Sequence, residues 1–154
     1  MISITKLLCN SNNYGDSLRY VEGAAIEKYG VSPGRGPVVA WNCTKTCNLK
    51  CKHCYASSDN KRYDDELTLD ESKKFIDDLK DFNVPALLFS GGEPLMKENI
   101  LELLDYASQR KIRSTISTNG TLLDKDVCKS LKKINLGYVG VSLDGIGSNH
   151  DAFR

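Results

Sequence analysis

From Val38 onward the chain alternates short apolar runs with stretches whose apolar residues recur at helical spacing, and nothing else in it limits the fold as much. Residues 38–41, Val-Val-Ala-Trp, read as a first strand. Thr68-Leu69-Asp70-Glu71 has the spacing of a capping box. It opens a helix that places Phe75, Ile76, Leu79 and Phe82 on one face. Residues 86–89 form a second strand, and Ile100, Leu103, Leu104 and Ala107 mark a second helix. Residues 113–117 form a third strand. Asp124 caps a third helix whose buried side carries Val127, Cys128, Leu131 and Ile134, and residues 137–143 form a fourth strand. Strands alternating with amphipathic helices predict an α/β fold built from parallel β-α-β units with right-handed crossovers. A closed eight-stranded barrel takes roughly 250 residues. The expectation is therefore part of a larger protein or an abbreviated relative. Ahead of this region, residues 1–36 read as a polar leader with a short helix over residues 22–29. Ser32-Pro33-Gly34-Arg35-Gly36-Pro37 reads as a turn-rich linker. Residues 37–154 then make the core domain.

Composition sets the function classes. Hydrophobic residues make up 40% of the 154, enough for a core, and the formal net charge of +1 gives no pull towards nucleic acid or acidic membranes. No run is long and apolar enough to cross a bilayer, and residues 1–10 lack the pattern of a secretion signal. A cytoplasmic location is expected. Disulfides are rare there. Four of the six cysteines, Cys43, Cys47, Cys51 and Cys54, nevertheless fall within twelve residues, which points to metal or redox chemistry.

The unusual residues all follow strands. The cysteines come after the first, Ser90-Gly91-Gly92-Glu93-Pro94 after the second, Thr118-Asn119-Gly120 after the third, and Ser142 with Asp144-Gly145 at the end of the fourth. In parallel α/β folds this rim is where ligands bind. Cys47-x3-Cys51-x2-Cys54 offers three thiolates from one loop. Iron–sulfur clusters usually take four such ligands, so three leave one iron open. Structural zinc is the rival and would need a fourth ligand, His53 or Cys43. Cys43 and Cys128 otherwise read as small buried residues. Gly91 and Gly92 let the backbone approach a ligand, Glu93 can pair with an ammonium, and Pro94 stiffens the exit. The same four residues also suit a plain strand-to-helix turn. Asn119 is either the corner of an Asn-Gly turn or a donor to a ribose or carboxylate. Ser142 and Asp144 are either turn and cap residues or ligand contacts, Arg154 is solvated or a ligand contact, and His53 and Tyr55 can pack on a flat ring or fill the loop.

Together these residues resemble the radical S-adenosylmethionine (SAM) superfamily. Residues 47–54, Cys-Asn-Leu-Lys-Cys-Lys-His-Cys, resemble its cluster loop, with His53 where most members carry an aromatic residue. Gly91-Gly92-Glu93-Pro94 looks like its GGEP motif, and Thr118-Asn119-Gly120 and residues 141–145 look like its third- and fourth-strand motifs. The resemblance implies a 4Fe-4S cluster on Cys47, Cys51 and Cys54, with SAM on the open iron. It implies that GGEP contacts the SAM amino group, Ser142 its ribose or carboxylate, and Arg154 its carboxylate. It implies a partial (β/α)6 barrel with about four of six units present, and reductive cleavage of SAM to a 5′-deoxyadenosyl radical. An electron donor such as a ferredoxin or flavodoxin would be the partner. Leu18-Arg19-Tyr20, residues 38–42 and Cys54-Tyr55-Ala56 are similar to radical SAM proteins of modified-haem (haem d1 and alternative haem) biosynthesis, which act on sirohaem-derived tetrapyrroles. Radical SAM enzymes that mature peptides share the same core.

Overall fold

A computed structural model describes residues 36–154. The leader and its short helix lie outside the described residues. Four parallel strands, β1 (Val39–Thr44), β2 (Ala86–Gly91), β3 (Arg113–Thr118) and β4 (Tyr138–Val141), form one sheet in the order β1-β2-β3-β4. Helices α1 (Leu69–Asp81), α2 (Ile100–Gln109) and α3 (Lys125–Lys133) supply the crossovers, and a one-turn helix, α4 (Ser148–Asp151), follows β4. The α/β class, the parallel sheet and the four β-α units match the sequence reading. No described helix is long and apolar enough to cross a membrane.

Local chemistry explains the boundaries. Thr68 and Glu71 form the reciprocal capping box at the start of α1, and the Asp124 side chain accepts from the N–H groups of Asp126 and Val127 at the start of α3. All three long helices end alike. Asn83, Lys111 and Asn135 take left-handed backbone angles of 58°, 60° and 59° just past the last turn. The next residues then donate back into it, Val84 N to Leu79 O, Ile112 N to Ala107 O and Leu136 N to Leu131 O.

The core lies between one face of the sheet and the helices. Register aligns Trp41 with Phe89, Phe89 with Ile116 and Ile116 with Val139, so these residues share that face. Leu87, Phe89 and Ile116 are fully buried there against Ile76 of α1 and Leu103 and Leu104 of α2. Trp41 packs edge-on to Phe75 at 5.1 Å between centroids. The opposite face carries Asn42, Ser90, Thr115 and Ser117, which alternate with the core residues.

Two expected core positions are corrected. Cys128 is exposed, because α3 packs along the stripe of Val127, Leu131 and Ile134, one residue round the helix. Phe82 is 66% exposed. The helical spacing reaches it, but α1 ends at Asp81 and Phe82 is the C-cap, already turned away from the sheet.

Candidate functional site

The site begins at an irregularity. Strand pairing runs Asn42↔Ser90 and then jumps to Thr44↔Gly91, a bulge at the end of β1. Cys43 turns into the core there, 3% exposed, with its S–H donating to the Ser90 carbonyl at 3.4 Å. Burial pushes its thiol up to about 12. It is the small buried residue the sequence suggested, packed in the core cluster.

That loop closes on itself. Thr46 and Asp59 form a bridge, Cys47 N donates to Asp59 O at 3.1 Å, and Lys50 pairs with Asp59 at 3.3 Å. Between these ends stand Cys47, buried, and Cys51 and Cys54, half-buried. The loop's amides point at sulfur: Leu49 N donates to Cys47 Sγ at 3.4 Å and Ser58 N to Cys54 Sγ at 3.5 Å. The two thiols differ in consequence. Burial, with the Glu93, Cys51 and Cys54 charges nearby, holds Cys47 above its ordinary range, while the Ser58 amide leads the groups that hold Cys54 below it. Among the described residues no three His, Cys, Asp or Glu side chains gather as a set for a single metal ion.

The GGEP segment is tied to this loop by its backbone. Gly92 N donates to Thr44 O at 2.7 Å and Glu93 N to Thr46 O at 2.8 Å. Gly91 has a φ of 129°, and a Cβ on Gly91 or Gly92 would collide with the carbonyls of Thr44 or Thr46. The glycines thus allow close approach, as expected, but what approaches is the extension of β1. With the amides taken, the Gly92 carbonyl remains without a donor among the described residues.

Glu93 also points inward. It is fully buried, and its carboxylate accepts from Leu95 N at 3.0 Å, Thr118 Oγ1 at 2.7 Å and Asn119 N at 2.7 Å. Its side chain is therefore committed to the third-strand loop. Pro94 is buried and begins a single 3-10 turn, Pro94–Met96. Asn119 is in turn joined to the cysteine loop. Its amide donates to Asn48 Oδ1 at 2.8 Å and approaches Cys47 Sγ at 4.0 Å, and Thr121 Oγ1 donates to Asn119 Oδ1 at 2.7 Å. Asn48 and Thr121 escaped the sequence reading. A Thr two residues after Asn119 is a turn signal, but the bond to Asn48 spans 71 residues and leaves no local trace.

The far side of the loop meets the segment after β4. Lys52 N donates to Phe153 O at 2.9 Å, and the His53 ring stacks on Phe153 at 4.5 Å. Asp144 Oδ2 lies 3.6 Å from His53 Nε2 and 2.5 Å from Arg154 Nε. His53 and Arg154 are thus brought together through Asp144. Ser142 N is bonded to Thr118 O at 2.9 Å, so it stands on the same rim. A cleft of about 540 Å³ lies between the starts of α1 and α2, lined by Thr44, Tyr63, Glu66 and Lys97, and none of the candidate residues line it. Its Lys97 is already paired with Glu66 at 3.6 Å.

Three loops carrying thiols, a glycine-rich turn and an Asn-Gly turn, laced together at one rim of a parallel sheet, are what the sequence of a known family specifies, and residues 41–154 match it under the description Radical SAM superfamily. The chain belongs to the radical SAM superfamily. Among its relatives, it is 47% identical over 159 aligned residues to the Fe-coproporphyrin III synthase of Methanosarcina barkeri, covering 100% of this chain and 39% of that protein. It is 43% identical over 118 residues to the pre-heme d1 synthase of Dinoroseobacter shibae, covering 77% of this chain and 29% of that protein. The chain thus spans well under half the length of these relatives. Among solved structures, Streptococcus suis SuiB bound to S-adenosylmethionine superposes with a TM-score of 0.61 at 26% identity, over 73% of this chain and 26% of SuiB. SuiB has also been solved bound to the precursor peptide SuiA.

Proposed function

We propose that Cys47, Cys51 and Cys54 hold a 4Fe-4S cluster and that SAM binds its open iron. The observation that carries this is the loop itself. It presents three thiols at the C-terminal rim of the sheet, gives two of them N–H donors, and is bonded directly to the glycine-rich turn. Each cysteine of a four-iron cluster binds a different iron, so its thiols need not meet at a point as they would around zinc.

When bound, the cluster, reduced by an external electron donor, and SAM would supply the one-electron chemistry that removes a hydrogen atom from substrate. The chain's own residues bind, orient and shield. The free Gly92 carbonyl suits the ammonium of SAM, and Gly91, Pro94 and the buried Glu93 fix that turn in place. Asn119 and Ser142 stand on the same rim as hydrogen-bonding groups for ribose or carboxylate. Arg154, held by Asp144, is the cation for the carboxylate. His53, stacked on Phe153, walls the loop on that side.

The substrate class we propose is a tetrapyrrole whose side chains are altered in haem biosynthesis. Support comes from the similarity to the two haem-pathway synthases, the first of which aligns with this entire chain. A peptide substrate is the second reading, favoured by the likeness to SuiB with its bound peptide. A reduced ferredoxin or flavodoxin is the proposed electron donor, and the cytoplasm the proposed location. The test is anaerobic reconstitution with iron and sulfide, followed by metal analysis and electron paramagnetic resonance (EPR) spectroscopy. About four irons and four sulfides per chain are expected, with the signal lost in Cys51→Ala. Zinc uptake without sulfide, or an undiminished signal in Cys51→Ala, overturns the assignment.

A further inference from the structure

The cysteine loop contains a polar atom with no hydrogen-bond partner. Among the described side chains, the Ser58 hydroxyl is the buried oxygen or nitrogen with no such partner. Such a group costs stability unless it has something to bind. Its surroundings say what that is. Ser57 takes a left-handed φ of 47°, unusual for serine, and the turn brings Ser58 N to within 3.5 Å of Cys54 Sγ. The residue whose amide reaches that sulfur is thus the one whose hydroxyl is left without a partner. A hydroxyl hydrogen rotates freely, and a thiolate accepts far better than a thiol.

We infer that Ser58 is a positioning residue for the cluster, donating its hydroxyl to the Cys54 thiolate when iron is bound and thereby raising the cluster's reduction potential. The inference rests on the cluster assignment proposed above. Donors to ligand sulfur favour the electron-rich, reduced state, and second-sphere bonds of this kind set cluster potentials. Cys54 differs from Cys47 in this respect, since Cys47 receives one loop amide and the distant Asn119 side chain. The Cys54 thiolate would then receive both the amide and the hydroxyl of one residue, Ser58.

The experiment compares wild type, Ser58→Ala, Ser58→Thr and Ser58→Val, each reconstituted anaerobically and titrated with dithionite in the presence of redox mediators while EPR is recorded. Electron–nuclear double resonance in deuterated buffer then reads exchangeable deuterons near the reduced cluster. The potential should fall in the Ala and Val variants and hold in Thr, and one deuteron coupling present in wild type and Thr should vanish in Ala and Val. A cluster that forms in all four with one potential and one deuteron pattern overturns the inference and leaves the cluster standing. If Ser58→Ala takes up no iron, the Thr and Val pair decides, and equal potentials in those two overturn it. Failure of wild type itself to form a cluster would sink the cluster reading instead, so the two failures are distinguishable.

Discussion

At Glu93 a carboxylate sits wholly inside the protein and receives a backbone amide from its own turn and two donors from the third-strand loop. Truncation would strand those donors. Glu93→Ala is expected to destabilise the chain by about 3 kcal/mol, and Glu93→Gln, which turns an amide NH₂ towards donors, by roughly 1–3 kcal/mol, read from urea midpoints. Cys43 makes a second residue-scale prediction. Burial keeps its thiol protonated up to about 12 in the folded state. An unfolded cysteine releases its proton near pH 8.5. The native state holds the proton longer, so this contribution is whole below about pH 8.5 and drains away as pH rises towards 12. Stability should therefore fall less steeply in Cys43→Ala than in wild type between about pH 9 and 11. The sequence made the cysteine trio and GGEP visible as motifs, because each is local. It could not reveal that Glu93 faces inward, since Thr118 lies 25 residues away and nothing in either segment marks the partner.

Among the elements, the helix termini are the most legible and the helix faces less so. The capping box of α1 and the Asp124 cap of α3 were written in side chains that bond to adjacent amides. Burial depends instead on what lies across the gap. Cys128 shares apolar spacing with Leu131, but no described element covers that side of α3, so it stays in solvent. The helix ends also give a prediction. Lys111 adopts the left-handed cap conformation at φ 60°, where a side chain costs roughly 1 kcal/mol over glycine. Lys111→Gly should accordingly stabilise the chain by up to about 1 kcal/mol, seen as a higher Tm, provided the Ile112 to Ala107 bond is kept.

Over the whole molecule, α1 and α2 are joined by a polar seam. Arg110 pairs with Asp77 at 2.6 Å, Tyr106 donates to Asp77 at 2.8 Å, and the Arg110 guanidinium lies over the Tyr106 ring at 4.1 Å. The Arg110 bond first, and then that of Tyr106, holds the Asp77 carboxyl below its ordinary range. A depressed carboxyl stabilises the fold above its unfolded pKa and loses that effect as pH falls through the folded value. Asp77→Asn should lower Tm at neutral pH, and the gap from wild type should close in acid. The alternation of strands and helices was legible from periodicity alone, because each element buries one face. The lacing of three loops at the rim was not, because it consists of backbone and side-chain bonds between segments far apart in sequence. That lacing gathers the separate motifs at the rim where the proposed cluster and its ligand would sit. Adding SAM to the anaerobically reduced, reconstituted chain and recording its EPR spectrum tests this most directly. The account predicts a changed spectrum as SAM takes the open iron. A cluster that forms and reduces yet keeps the same spectrum with and without SAM would contradict it.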